Sequence, residues 1–135
     1  MEDEEISMPR PLTPEELALL SWVLEHGLPE ARTFALQVEK IRATKGCKCG
    51  CPSISLHVEE GTPLGECSHS PISDVRAKNP DGKEVGVILF QDSGKLSMLE
   101  VYSFDDIEGD WGFPVYESLQ TWESFGISDM KGKKE

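Results

Sequence analysis

Two long apolar runs, Glu84 to Gln91 and Lys95 to Phe104, are separated only by Asp92-Ser93-Gly94. A connection this short cannot hold a crossover, so the runs must fold back on each other as an antiparallel hairpin. The first run (Val85, Val87, Ile88, Leu89, Phe90) is apolar at both parities, which predicts a central strand covered on both faces. The second carries Leu96, Met98, Leu99, Val101 and Tyr102, with Glu100 among them, placed to pair with Arg76 on a neighbouring strand.

Two further strands precede this hairpin. Ile54, Leu56 and Val58 alternate with Ser53, Ser55, His57 and Glu59, the period of a half-buried strand. Strand character returns from Ile72 to Lys78, and Asn79-Pro80-Asp81-Gly82 makes a turn into the central run. Residues Glu60 to Pro71, with Gly61, Pro63 and Gly65, read as a loop.

The N-terminal part has helical periodicity. Thr13, Pro14 and Glu16 form a helix start with a capping box, and Leu17, Leu20 and Leu24 follow at helical spacing up to Gly27. Pro29 starts a second run with Ala31, Phe34, Ala35, Val38 and Ile41 on one side. The short link between the two runs predicts an antiparallel helical hairpin. After Asp105, residues Trp111, Phe113, Val115, Tyr116, Leu119 and Trp122 are too apolar for a free tail. The expected fold is therefore α+β: an N-terminal helical hairpin, a four-stranded antiparallel sheet and a packed C-terminal extension. Residues 1–11 read as a disordered acidic tail, 12–125 as a single α+β domain and 126–135 as a flexible tail.

The net charge of −12 argues against nucleic-acid binding, which needs clustered cations, and suits either simple solubility or a basic protein partner. No apolar run reaches the length of a membrane span, and the acidic N-terminus has no secretory pattern. A cytoplasmic protein with no membrane partner is expected, a compartment in which dense cysteines favour metal or redox roles.

Cys47, Cys49 and Cys51 fall within five positions, and Cys67 and His69 follow. Together these reach the ligand inventory of a tetrahedral site, for zinc or for a softer ion such as copper(I). Cys-x-Cys-x-Cys lacks the usual Cys-x2-Cys turn, so small residues in a tight, partly buried connection explain the spacing as well. Thiol-redox chemistry is a third reading, with Lys48 lowering a thiolate pKa. His57 lies on the polar parity of its strand, and His26 in a last helical turn suits the macrodipole. Asp105, Asp106, Glu108 and Asp110 form an acidic loop without the spacing of a calcium loop. No nucleophile elbow, phosphate loop or dinucleotide pattern is present in the sequence, so no catalytic residue is nominated.

Leu12-Thr13-Pro14-Glu15-Glu16, the segment Cys47 to Ile54, Gly86 to Phe90 and Gly94 to Tyr102 together resemble a group of small uncharacterised bacterial proteins. These share a Cys-Gly-Cys-Pro segment and a closing Leu-Glu-Val-Tyr strand with a tryptophan loop. The resemblance covers about Leu12 to Trp111 and implies a single bacterial domain, with no activity attached. The functional expectation is a non-enzymatic binding or structural protein, with a metal at the cysteine cluster as an option. An acidic immunity-type or regulatory protein capping a basic partner, and a thiol-redox protein, are the alternatives.

Overall fold

A computed structural model describes residues 8–46, 50–104 and 106–122. It has one six-stranded antiparallel sheet, built from β1 (Arg10–Pro11), β2 (Ile41–Lys45), β3 (Ile54–Val58), β4 (Ser73–Lys78), β5 (Glu84–Asp92) and β6 (Lys95–Ser103). Their order across the sheet is β1-β2-β3-β6-β5-β4. Helix α1 (Pro14–Glu25) and a 3-10 helix (Pro29–Lys40) pack on one face, and the fold is α+β overall.

The expected helical hairpin and four-stranded sheet are thus corrected. The four strands foreseen are present, but two more join them, and the second helical run is a 3-10 helix that ends in β2. Ala31, Phe34 and Gln37 are its buried residues. That spacing of three follows from three residues per turn, which stacks i, i+3 and i+6 on one side. The expected 3.6-residue stripe fails at Ala35, which is exposed. Directly after it, Ile41 and Ala43 alternate inward with Arg42 outward, and all five residues of β2 pair with β3.

Strand order also departs from a simple meander. The hairpins β4–β5 and β5–β6 form as the turn residues demand, with Ser93 and Gly94 both at positive φ. β3, however, lies beside β6 rather than β4. Residues 59–72 carry the chain to the far edge, which gives a Greek-key arrangement.

Helix α1 starts as its sequence requires. The Glu16 amide donates to Thr13 Oγ1 at 3.1 Å, and the Thr13 amide donates to Glu16 Oε1 at 2.9 Å. Its buried stripe is Glu16, Leu19, Leu20, Val23 and Leu24, while Leu17 points outward. With the 3-10 helix, this stripe closes one core over Val75, Val85, Val87, Leu89, Leu99 and Val101 of the sheet. Arg10 of β1 clamps Glu16 through two 2.9 Å bonds. Burial pushes the Glu16 carboxyl up, but Arg10 and the Thr13 donors outweigh it and hold the group below its ordinary range.

Gln37 fastens the 3-10 helix to the β5–β6 turn. It is fully buried, donates to Pro63 O (3.0 Å) and Gly94 O (2.8 Å), and accepts from the Leu96 amide (2.9 Å). On the opposite side, the C-terminal segment covers the β4 edge. Arg76 and Gln120 exchange backbone bonds of 2.9 Å, and Leu119 is buried. This satisfies donors and acceptors that an open edge strand would leave exposed.

Candidate functional site

Two places combine chemistry with access: the loop that carries the cysteines, and the sheet face opposite the helices. The cysteine loop joins β2 to β3 and is therefore the tip of a β-hairpin. The Gly46 amide donates to Ser53 O at 2.9 Å and closes the loop's base. The Trp111 amide donates to Gly50 O at 3.1 Å and ties the loop to the C-terminal segment. A Cβ on Gly50 would stand 1.8 Å from the Gly109 carbonyl oxygen, so only glycine permits that approach.

Cys47 and Cys49 lie outside the described residues. Cys51 is buried, and its thiol donates to Ser53 Oγ at 3.3 Å. Ser53, expected on the polar side of the strand, is buried instead because its hydroxyl bridges both backbone groups of Val101. Cys51 also lines a pocket of about 330 Å3 with Arg10, Glu16 and Lys45.

Cys67 is half-buried in the connection between β3 and β4, where the Gln91 side chain donates to its carbonyl at 3.0 Å. Its sulfur accepts from the His69 amide at 3.4 Å, so the structure brings these two together through the His69 backbone. Ser53 and Cys51 sit by Val101, whereas Gln91 pairs with Leu96. Leu96 and Val101 are five steps apart along β6, about 16 Å of extended chain. Among the described residues, no group of three or more His, Cys, Asp and Glu side chains is placed to hold a metal ion.

The remaining sequence candidates are local. His57 shares a 2.8 Å hydrogen bond with Thr44, and His26 stacks on Trp22 at 3.8 Å while meeting its carbonyl. Asp110 accepts from the Gly112 amide at 3.0 Å. No family model matches the chain, and no curated protein or solved structure matches it. No helix among the described residues is long and apolar enough to cross a membrane.

The outer face of the sheet was hidden in the sequence. β5 is apolar at both parities, yet only Val85, Val87 and Leu89 face the helices and are buried. Ile88 and Phe90 point the other way and are half-buried, as is Met98 opposite Phe90. None of these three belongs to the core or packs against it. At one end of this face Tyr102 lies over Gly86, where a Cβ would come within 2.2 Å of the ring. Phe104 meets Tyr102 edge-on at 5.2 Å and Trp122 at 5.9 Å. Arg76 caps the Trp122 ring at 4.9 Å and forms an ion pair with Glu84, not with Glu100 as the sequence suggested. The Trp122 indole donates to Asp74 at 3.1 Å. Burial, then the charges of Asp74 and Glu100, push the Tyr102 hydroxyl above its ordinary pKa, against a smaller opposing effect of Arg76.

Proposed function

We propose that this is a non-enzymatic binding protein that takes a basic protein partner on the outer face of its sheet. The observation that carries this reading is the half-buried Ile88, Phe90 and Met98 surface, which lies off the core and beside the carboxylates of Asp74 and Glu100. Apolar centres with charged surroundings are how protein interfaces combine burial with orientation. The net charge of −12 favours encounter with cationic partners.

A photo-crosslinking amino acid placed at Phe90 tests it, with Leu36 on the exposed side of the 3-10 helix as control. The expected result is a discrete adduct from position 90 alone, whose purified partner binds at one to one and dissociates as salt is raised. Equal adducts from both positions, or a partner insensitive to salt, would refute the reading.

A structural zinc at the cysteine loop is a second reading, supported by the adjacency of Cys47 and Cys49 to Cys51 in the chain. Elemental analysis of protein purified without an affinity tag should give stoichiometric zinc that disappears with Cys51→Ser. Metal-free, freely titrating thiols would sink it.

A further inference from the structure

We propose that Glu100 is the cation seat of the outer face: it takes a lysine or arginine of the partner segment whose apolar side chains cover Ile88, Phe90 and Met98. The inference rests on the binding reading above and names the site's central contact.

Strand register defines the seat. Asp74, Ile88 and Glu100 lie side by side across β4, β5 and β6, so one apolar side chain stands between two carboxylates. Ser55, Met98 and Phe90 form the row above, and Tyr102, Gly86 and Arg76 the row below, where Arg76 is held by Glu84 and the Trp122 ring. Among the described residues the strands present three carboxylates on this face, Asp74, Glu84 and Glu100, and the fold uses two of them. Glu84 holds Arg76, and Asp74 accepts from Trp122. Among the described residues the Glu100 side chain forms no hydrogen bond or ion pair, although the residue is half-buried among apolar neighbours. A carboxylate partly stripped of water without a partner is costly, and an incoming ammonium or guanidinium recovers that cost while supplying a charge-assisted hydrogen bond. The aromatic row of Tyr102, Phe104 and Trp122 is already engaged by Arg76, which leaves Glu100 as the point where a foreign cation gains most.

Charge also selects the occupant. A second copy of this chain brings a net charge of −12 of its own, so its approach is opposed where that of a basic segment is favoured. Nucleic acid and anionic lipid are excluded by the same sign. A segment that alternates basic and apolar side chains fits both the carboxylates and the surface between them.

The test is selection of a displayed library of random twelve-residue peptides on the full-length protein, followed by anisotropy titration of the enriched sequences. Enrichment of Lys or Arg flanked by apolar residues is expected. Glu100→Gln should weaken these peptides about tenfold, with a urea unfolding transition no lower than the native protein's as the control for folding. Glu100→Lys should reverse the preference, so that peptides with the selected cation changed to Glu bind better than their parents. Basic peptides that bind Glu100→Gln and Glu100→Lys as tightly as the native protein would overturn the seat and leave the binding reading standing. Enrichment without basic residues would overturn both. A dimer in sedimentation that Ile88→Asp dissociates would overturn the proposal in favour of a second copy.

Discussion

Replacing Gln37 should destabilise this protein more than any polar substitution on its surface. The side chain is fully buried and makes three hydrogen bonds to backbone groups of two other segments. Gly94 O keeps another donor, the Gly65 amide at 2.8 Å, but Pro63 O and the Leu96 amide depend on Gln37 in this region. Gln37→Leu preserves most of the volume and strands both groups. The buried Leu96 amide costs about 1–3 kcal/mol when unsatisfied, and the carbonyl of the exposed Pro63 adds about 1 kcal/mol at most, so the loss is about 1–4 kcal/mol. Gln37→Ala adds a cavity and should cost a further ~1 kcal/mol or more. Urea denaturation followed by tryptophan fluorescence measures both, with an unchanged slope showing that stability alone has moved. Hydrogen exchange should show the Leu96 amide losing protection before its neighbours in β6. If Gln37→Leu matched the native protein within about 0.5 kcal/mol, the three bonds would not hold the 3-10 helix to the hairpin, and packing of Phe34 alone would suffice.

Other perturbations test single contacts. Because Arg10 and Thr13 hold the folded Glu16 carboxyl below its unfolded value, its stabilisation is present above pH ~4.3 and is lost as pH falls through the folded value. Glu16→Gln should therefore cost about 1 kcal/mol at pH 7, with the gap to the native protein closing in acid; a gap independent of pH would contradict the ion pair. Gly86→Ala forces the Tyr102 ring off the sheet and should destabilise by about 1–3 kcal/mol, a loss that Tyr102→Ala in the same chain should partly relieve. In a Tyr116→Phe background, the ultraviolet titration of Tyr102 should lie above the ordinary tyrosine range and move down with Glu100→Gln.

Local chemistry made much of the fold legible. The capping box at Thr13 and Glu16, the turns at Asn79 and Asp92, and the four strands from Ile54 to Ser103 follow from side-chain periods and backbone preferences, which act over a few residues. β2 was concealed because Ile41, the last apolar residue of an apparent helical stripe, is also the first of an alternating one, and five residues cannot separate the two periods. Burial of Gln37 was concealed too, since the sequence marks it as polar and only its three distant partners make the interior affordable.

The candidate site divides in the same way. By itself the sequence determined that cysteines crowd one loop, that the charge is acidic, and that β5 is apolar on both sides. Only the tertiary structure decided that one side of β5 is left without helices, that Arg76 chooses Glu84, and that Glu100 therefore stands without a partner among the described residues. The physical reason is range. Period and turn chemistry are properties of neighbours along the chain, whereas pairing and coverage depend on which strands the Greek-key crossing brings side by side.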